Sequence, residues 1–351
     1  MPSTIDAFSM AAPDDVQEIG LIFGRLAGLQ PRCVAVLGKV EGTATTNDFS
    51  RGLARRAIRD AAADAGLDLG RLQVVLSTGC EGVISPGGTV LAACDAGPDV
   101  EGDLRVGFGA SRALEPAEIV AQAHVDHARE AVLRALDSAG LDPRDPVLVL
   151  LKSPLLTHPE AVGLPAGQAR FAGVSGAARG AAALGLGAAL GEIAPGDAAI
   201  ENLLVRPDLY SRRGMVFSGT ETRACEAIVI GQPAGATSGP RLRCGLVEDL
   251  VDIEGMARIV NAGESASIDA ARAQARDLCA VFFKAGVARD GLVRGRRTTV
   301  FSSDLDPDKH MRAAASGALA ALVGDCRMFV SGGAEHQAPD GGCVFAVISR
   351  S

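Results

Sequence analysis

The strongest constraint on the fold of this chain is a short apolar run that ends in lysine and occurs three times. The three runs are CVAVLGK, VLVLLK and LCAVFFK, and they end at Lys39, Lys152 and Lys284. Each run is shorter than a typical helix and consists mainly of branched or aromatic apolar residues, which is typical of a strand buried on both faces. The chain is therefore expected to contain one α/β unit in three copies.

The same order of chemical groups follows each lysine. An arginine begins an alanine-rich stretch with helical character, and a second apolar run then ends in serine, close to a glycine and a glutamate. In chain order these residues are Arg51, Ser77 and Glu81, then Arg179, Ser218 and Glu221, then Arg312, Ser331 and Glu335. A solvated lysine or a turn-forming serine explains one occurrence, but not a threefold recurrence in one order. The pattern predicts three similar units that share one site.

Turn-rich segments separate these units. Pro, Gly and small polar residues cluster at 95–103 and 231–240, which marks candidate linkers. We therefore predict repeat units over residues 1–103, 104–236 and 237–351, each of ordinary domain size. Because such units are far longer than a solenoid repeat, they are expected to lie around a shared axis and not in a row.

Composition excludes several classes of function. The chain carries 42 acidic and 34 basic residues, and its arginines are interspersed with Asp and Glu, so no nucleic-acid partner is expected. Its N-terminus lacks a basic stretch followed by a long apolar one, so neither a secretory signal nor a membrane span is predicted, and a cytoplasmic location is expected. The eight cysteines form no close C-x-x-C pair and are expected to be reduced and mostly buried. No cofactor is predicted.

The recurring residues suit nucleophilic chemistry. Strand ends of open α/β sheets are common ligand sites. A serine hydroxyl attacks well only when a base takes its proton, and lysine becomes such a base when burial or neighbouring cations lower its pKa. Backbone N–H groups in the glycine-rich segments would hold a developing oxyanion, and arginine forks bind carbonyl oxygens. Three arginines suit a flat ring with carbonyl groups on several sides.

Several motifs resemble those of the cyanuric acid hydrolase and barbiturase family. They are GKVEGTATTNDFSR at 38–51, LSTGCEGVISP at 76–86, LKSPLLT at 151–157, DGLVRGRRTTVFSSD at 290–304 and VSGGAEHQAPDGG at 330–342. The resemblance covers nearly the whole chain. It implies three similar α/β units around a pseudo-threefold axis, a central active site, ring-opening hydrolysis of a small cyclic amide, and a homotetramer.

Carried over by motif, the resemblance assigns roles to individual residues. It pairs Lys39 with Ser77, Lys152 with Ser218, and Lys284 with Ser331, and it nominates Lys152 as the base and Ser218 as the nucleophile. The implied substrate-binding residues are Arg51, Ser77, Thr78, Arg179, Phe217, Ser218, Arg312, Ser331 and Gly332. Position 286, where the resemblance implies an acidic metal ligand, is glycine, so no metal is predicted.

The middle unit departs from the other two in register. Counted back from the shared glutamate, Ser77 and Ser331 lie four residues before it, whereas Phe217 has that position in the middle unit and Ser218 follows it. Either Ser218 is the nucleophile after a local shift, or Phe217 has replaced it and changes the pocket. The expected substrate is therefore a lactam, cyclic imide or ureide, and not necessarily cyanuric or barbituric acid. The alternative function is a non-catalytic protein that binds a small ligand and has lost its nucleophile.

Overall fold

A computed structural model of the chain describes residues 3–45, 47–94 and 103–350. The strands are β1 (Ser3–Ser9), β2 (Cys33–Val40), β3 (Leu72–Thr78), β4 (Gly87–Ala93), β5 (Arg105–Ala113), β6 (Val147–Pro154), β7 (Gly214–Gly219), β8 (Ala224–Gly231), β9 (Arg241–Val247), β10 (Leu278–Ala285), β11 (Leu292–Val293), β12 (Arg296–Arg297), β13 (Phe329–Gly332) and β14 (Cys343–Ser349). The α-helices are α1 (Gln17–Leu29), α2 (Ser50–Asp64), α3 (Gln122–Ala139), α4 (Ala166–Ala169), α5 (Ser175–Ala189), α6 (Ile253–Val260), α7 (Ile268–Gln274) and α8 (Pro307–Val323). The α/β class predicted from the sequence is confirmed.

Three four-stranded sheets share one topology. Their strand orders are β1-β4-β2-β3, β5-β8-β6-β7 and β9-β14-β10-β13. Counted in chain order within each sheet, the first strand pairs antiparallel with the fourth, and the fourth pairs antiparallel with the second. The second and third strands run parallel. Each sheet draws its strands from one continuous stretch of the chain. The predicted linker at 95–103 lies outside the described residues except for Asp103, so the unit boundaries stay a prediction.

The lysine-ending runs form the second strand of each sheet. β2 and β6 are buried along their whole length, and β10 is buried from its third residue onward. The helices that follow, α2, α5 and α8, carry the three recurring arginines. The start of α8 is fixed by Asp306, whose side chain accepts hydrogen bonds from the first-turn amides, and by proline at the first helical position.

One hydrophobic cluster draws on the inward faces of all three sheets. It contains Leu37 of β2, Leu150 of β6 and Phe282 of β10, each of which lies two residues before one of the recurring lysines. Side chains alternate between the two faces of a strand, so the lysines point to the same side as this core. Three further clusters pack each sheet mainly against its own helices. The central core therefore ends in a layer of polar groups.

Within the described part of the chain, no helix combines the length and the apolar character needed to cross a membrane.

Candidate active site

A cavity of about 320 Å³ lies where the polar ends of the three sheets meet. Its walls include most of the residues singled out in the sequence, namely Arg51, Ser77, Thr78, Lys152, Arg179, Phe217, Ser218, Lys284, Arg312, Ser331 and Gly332. Lys39 does not line the cavity. It is only 1% exposed and lies behind Ser77. The fold thus gathers into one place residues that are far apart in the chain.

The first lysine and serine face each other across β2 and β3. Lys39 and Ser77 are direct partners in the parallel register, and Lys39 Nζ lies 3.1 Å from Ser77 Oγ. Lys39 Nζ also donates to the Thr78 carbonyl at 3.4 Å. Burial, and after it the positive charge of Arg312, lowers the pKa of Lys39 to about 7. This lysine is therefore able to accept a proton from Ser77 near neutral pH.

The third lysine and serine have the same arrangement on β10 and β13. Lys284 and Ser331 are register partners, with Nζ 3.2 Å from Oγ. Lys284 Nζ also donates to the carbonyls of Gly332 at 2.9 Å and Val216 at 2.7 Å. Burial, and after it Arg179, lowers the pKa of Lys284 well below its ordinary value.

The middle pair differs from the sequence-based expectation. Lys152 faces Phe217 across β6 and β7, and Ser218 faces Ser153 instead. The Ser218 hydroxyl donates to the carbonyl of Ser175 at 3.2 Å. In the structure Phe217 therefore occupies the strand position that a serine has in the other two sheets.

Lys152 contacts a carboxylate instead of a serine. Its Nζ lies 2.5 Å from Glu221 Oε1 and donates to the carbonyl of Leu76 at 3.3 Å. Neighbouring residues of a strand point to opposite faces, so in the structure Ser218 does not face Lys152 as Ser77 faces Lys39. The pairing of Lys152 with Ser218 is thus replaced by an ion pair.

Burial and charge act in opposite directions on this ion pair. Burial lowers the pKa of Lys152 to about 8, although Glu221 opposes that change. Burial also disfavours the charged form of Glu221, but Lys152 and then Arg51 outweigh it and lower the pKa of Glu221 to about 2. Both groups are therefore ionised at pH 7.

Phe217 forms an apolar wall of the cavity. Its ring packs edge-to-face on Phe329 with 5.1 Å between ring centroids, and Lys284 Nζ lies 4.7 Å from the centre of the Phe217 ring. The side chain is 4% exposed and also belongs to the central hydrophobic cluster. A polar group of a ligand placed against it would find no hydrogen-bond partner on that ring.

Each recurring arginine contacts the glutamate of a different sheet. The pairs are Arg312 with Glu81, Arg179 with Glu335, and Arg51 with Glu221. In the first two pairs both glutamate oxygens are bound, with N–O distances of 2.8–2.9 Å. In the third pair the contact between Nε and Oε1 is 3.5 Å long. The three contacts form a closed cycle through the three sheets.

The glutamates and one aspartate were not predicted as site residues. The constant position of the glutamates after each apolar run was a usable signal, whereas no sequence pattern marked Asp308. Its carboxylate lies 2.9 Å from Arg179 Nη2. Although burial opposes the charge of Arg179, Glu335 and Asp308 raise its pKa. Arg179 is therefore held by two carboxylates.

Two cavity-lining residues carry a buried polar atom without a hydrogen-bond partner. Within the described residues these atoms are Arg51 Nε and Thr78 Oγ1, and the nearby Glu221 oxygens take part only in the ion pairs with Lys152 and Arg51. Buried polar atoms are nearly always hydrogen-bonded in folded proteins, so unsatisfied ones beside a cavity are suited to meet a ligand. Arg51 is the arginine with the weakest internal contact, and it is the one best placed to bind a ligand oxygen.

Position 286 has no room for a side chain. A Cβ atom on Gly286 would collide with the carbonyl oxygen of Gly342, which explains glycine at this place. Across residues 3–45, 47–94 and 103–350, no group of three or more His, Cys, Asp or Glu side chains is arranged to hold a metal ion.

Comparison with known families identifies the class of protein. The family model of the amidohydrolase ring-opening proteins matches residues 4–350. The chain belongs to this family of hydrolases, and the resemblance found in the sequence is confirmed.

Similar proteins match along nearly their full length. A cyclic amide hydrolase from Azorhizobium caulinodans is 36% identical over 363 residues, which covers 99% of each chain. A cyanuric acid amidohydrolase from Methylobacterium sp. (strain 4-46) is 38% identical over 359 residues, covering 97% of this chain and 95% of the relative. A crystal structure of cyanuric acid hydrolase from A. caulinodans matches with a TM-score of 0.85 at 33% identity, over 100% of both chains. A second solved cyanuric acid hydrolase, presented as an evolutionary innovation by structural concatenation, matches with a TM-score of 0.86 at 32% identity, also over 100% of both chains.

Proposed function

We propose that the protein opens the ring of a small cyclic amide by hydrolysis, with Ser77 as the nucleophile and Lys39 as its base. The observation that carries the proposal is the 3.1 Å contact between the buried Lys39 amine and a serine hydroxyl on the cavity wall. The names of the full-length relatives, cyclic amide hydrolase and cyanuric acid amidohydrolase, support the ring-opening reaction.

Lys39 is better matched to proton transfer than the other two lysines. A general base works best when its pKa lies near the operating pH, and the pKa of Lys39 is lowered to about 7. Lys284 donates to two backbone carbonyls, at 2.7 and 2.9 Å, whereas Lys39 donates to one, at 3.4 Å, so the Lys284 amine is less free to take a serine proton. Lys152 is engaged by Glu221.

The reaction then follows from the position of Ser77 between its base and the cavity. Lys39 takes the hydroxyl proton while Ser77 Oγ attacks a ring carbonyl, forming a tetrahedral intermediate. The C–N bond of the ring breaks as the Lys39 ammonium returns the proton to the leaving nitrogen, leaving an acyl ester on Ser77. A water molecule then attacks the ester carbonyl as Lys39 takes its proton, the bond between that carbon and Ser77 Oγ breaks, and Lys39 returns the proton to Ser77 Oγ, which releases the ring-opened acid.

The remaining cationic groups bind oxygen atoms of the substrate in this proposal. Arg51, which lines the cavity and has the longest of the three arginine–glutamate contacts, binds a carbonyl oxygen directly. Lys284 and Ser331 bind a second carbonyl from another wall. Arg179 and Arg312 are held by carboxylates and mainly shape the cavity.

The motif-based assignment of Lys152 and Ser218 is the competing mechanism. It requires Lys152 to leave a carboxylate 2.5 Å away and Ser218 to give up its hydrogen bond to Ser175. Ser218 also lines the cavity, so its replacement tests this mechanism directly.

The arrangement of the units is part of the same proposal. Units at 1–103, 104–236 and 237–351 lie around a pseudo-threefold axis that passes through the cavity. The shared topology of the three sheets, their common core and the closed cycle of arginine–glutamate contacts support this arrangement. The homotetramer and the cytoplasmic location stay predictions from the sequence.

The test compares three serine variants of the purified protein on a panel of lactams, cyclic imides, hydantoins and ureides, with detection of the ring-opened acid. Ser77→Ala should lower kcat/KM about a thousandfold or more, because it removes the attacking atom. Ser218→Ala should retain activity within about tenfold, because its hydroxyl bonds only to a backbone carbonyl. Ser331→Ala, which has the same lysine contact geometry, is the matched control and should be less damaging than Ser77→Ala.

The opposite pattern would support the competing mechanism. An inactive Ser218→Ala variant beside an active Ser77→Ala variant would assign the chemistry to Lys152 and Ser218. Binding of a ring without turnover, unaffected by either substitution, would support the non-catalytic alternative.

A further inference from the structure

The three walls of the cavity are chemically unequal. Two walls present a lysine with a hydroxyl in hydrogen-bond contact, Lys39 with Ser77 and Lys284 with Ser331. On the third wall the register position of the serine is taken by Phe217. Two walls therefore offer a lysine–hydroxyl pair to a carbonyl oxygen. The wall with Phe217 offers an aromatic ring, and its polar groups are engaged elsewhere, because the Ser218 hydroxyl donates to the Ser175 carbonyl and Lys152 pairs with Glu221.

Lys152, the lysine of the wall that contains Phe217, does not compensate for the missing hydroxyl. Lys152 is 2% exposed, and its charge is balanced by Glu221 at 2.5 Å. Turning its ammonium toward a neutral carbonyl would leave Glu221, which is only 10% exposed, without its closest partner. Breaking one half of a buried ion pair is costly, so this lysine stays with its carboxylate.

Phe217 is also held firmly in position. Its ring packs edge-to-face on Phe329, and Lys284 Nζ lies 4.7 Å from the ring centre. An aromatic side chain fixed in this way presents a constant apolar surface to the cavity.

We infer that the substrate is a ring with two carbonyl groups and an apolar third edge, of the cyclic imide class, and not a ring with three carbonyls. This inference rests on the proposed ring-opening function. One carbonyl of the imide meets Ser77 and is attacked, the second meets Ser331, and the hydrocarbon edge packs on Phe217. The two carbonyls of an imide flank one nitrogen and diverge as two corners of a triangle do, which fits two neighbouring walls of a three-walled cavity.

A third carbonyl would be penalised at Phe217. It would lose its hydrogen bonds to water and find none on the ring, and such an unsatisfied buried group disfavours binding by roughly 10- to 100-fold. The same contact favours methylene groups, because both surfaces leave water.

The test uses two six-membered rings, glutarimide with two carbonyls and cyanuric acid with three. The wild-type protein should open glutarimide with a kcat/KM at least about tenfold above that for cyanuric acid. Phe217→Ser should shift this ratio at least about tenfold toward cyanuric acid. Phe217→Leu, which keeps an apolar wall, is the matched control and should leave the preference for glutarimide in place.

Calorimetric binding to the Ser77→Ala variant separates recognition from turnover. Tighter binding of glutarimide than of cyanuric acid is the expected result. Wild-type turnover that favours cyanuric acid, or a Phe217→Ser variant that folds but leaves the ratio unchanged, would overturn the inference while leaving the ring-opening function intact. If no ring is opened by the wild-type protein while the Ser77→Ala variant binds glutarimide more tightly, the proposed function fails and the ligand preference stands.

Discussion

Replacing Glu221 by glutamine tests how the ion pair between Lys152 and Glu221 stabilises the cavity wall that contains Phe217. Glu221 is 10% exposed and Lys152 is 2% exposed, so solvent screens their interaction little. A fall in the pKa of Glu221 from 4.5 to about 2, at about 1.4 kcal/mol per tenfold change in ionisation, corresponds to roughly 3 kcal/mol of stabilisation at neutral pH. The fall in the pKa of Lys152 from 10.5 to about 8 corresponds to a cost of similar size, about 3 kcal/mol.

These two effects nearly cancel in the intact ion pair but not in the variant. Glu221→Gln removes the stabilising half and leaves the buried Lys152 without its counter-charge, so the free energy of unfolding at pH 7 should fall by about 3 to 5 kcal/mol. Adding Lys152→Met removes the uncompensated charge, and the double variant should return to within about 1 kcal/mol of wild type. The order of stability is therefore wild type, then double variant, then single variant.

Urea unfolding followed by circular dichroism measures all three proteins. Because the pKa of Glu221 is lowered in the folded state, its contribution is present above pH 4.5 and is lost as the pH falls toward 2. The single variant should therefore lose less stability than wild type between these values. A loss below about 1 kcal/mol for Glu221→Gln at pH 7, or a double variant no more stable than the single one, would refute the reasoning.

Two further predictions concern the base and the backbone beside Arg179. Since only the neutral amine of Lys39 accepts the serine proton, kcat/KM should rise with pH through a value of about 7, and a profile that is flat between pH 6 and 8 would contradict Lys39 as the base. Gly333 has a φ of +76°, and a Cβ there would collide with the Arg179 guanidinium, so Gly333→Ala should lower the free energy of unfolding by more than about 2 kcal/mol. Gly324, with a φ of +73° and open space around it, is the control, and Gly324→Ala should cost only about 1 kcal/mol in the same urea titration.

Much of the fold was accessible from the sequence because the chain repeats its own pattern. A buried strand that ends in lysine is a local feature, and its recurrence predicted β2, β6 and β10 together with the α/β class. Counting back from the shared glutamate also raised Phe217 as the residue at the serine position. The count succeeds because side chains alternate between the two faces of a strand, and the register of β6 and β7 indeed pairs Phe217 with Lys152.

The ion pairs that set the charge of each cavity wall could not be predicted from the sequence pattern. Lys152 meets Glu221, and Arg179 meets Asp308, across separations of 69 and 129 residues along the chain. No local period encodes such contacts, because they depend on how the sheets and helices pack against each other. Matching motifs paired Lys152 with Ser218 by residue type, whereas the direction of the side chains separates them.

The closed cycle of arginine–glutamate contacts means that the cavity depends on contacts between the sheets. Each arginine lies on a helix that follows the second strand of one sheet, and its glutamate belongs to another sheet, so removing or exchanging any one sheet with its helices removes two of the three contacts. A change at one strand end, as at Phe217, alters a single wall and leaves the other two in place. The three sheets therefore depend on one another for stability, whereas substitutions at one strand end are able to change the ligand selectivity of one wall at a time.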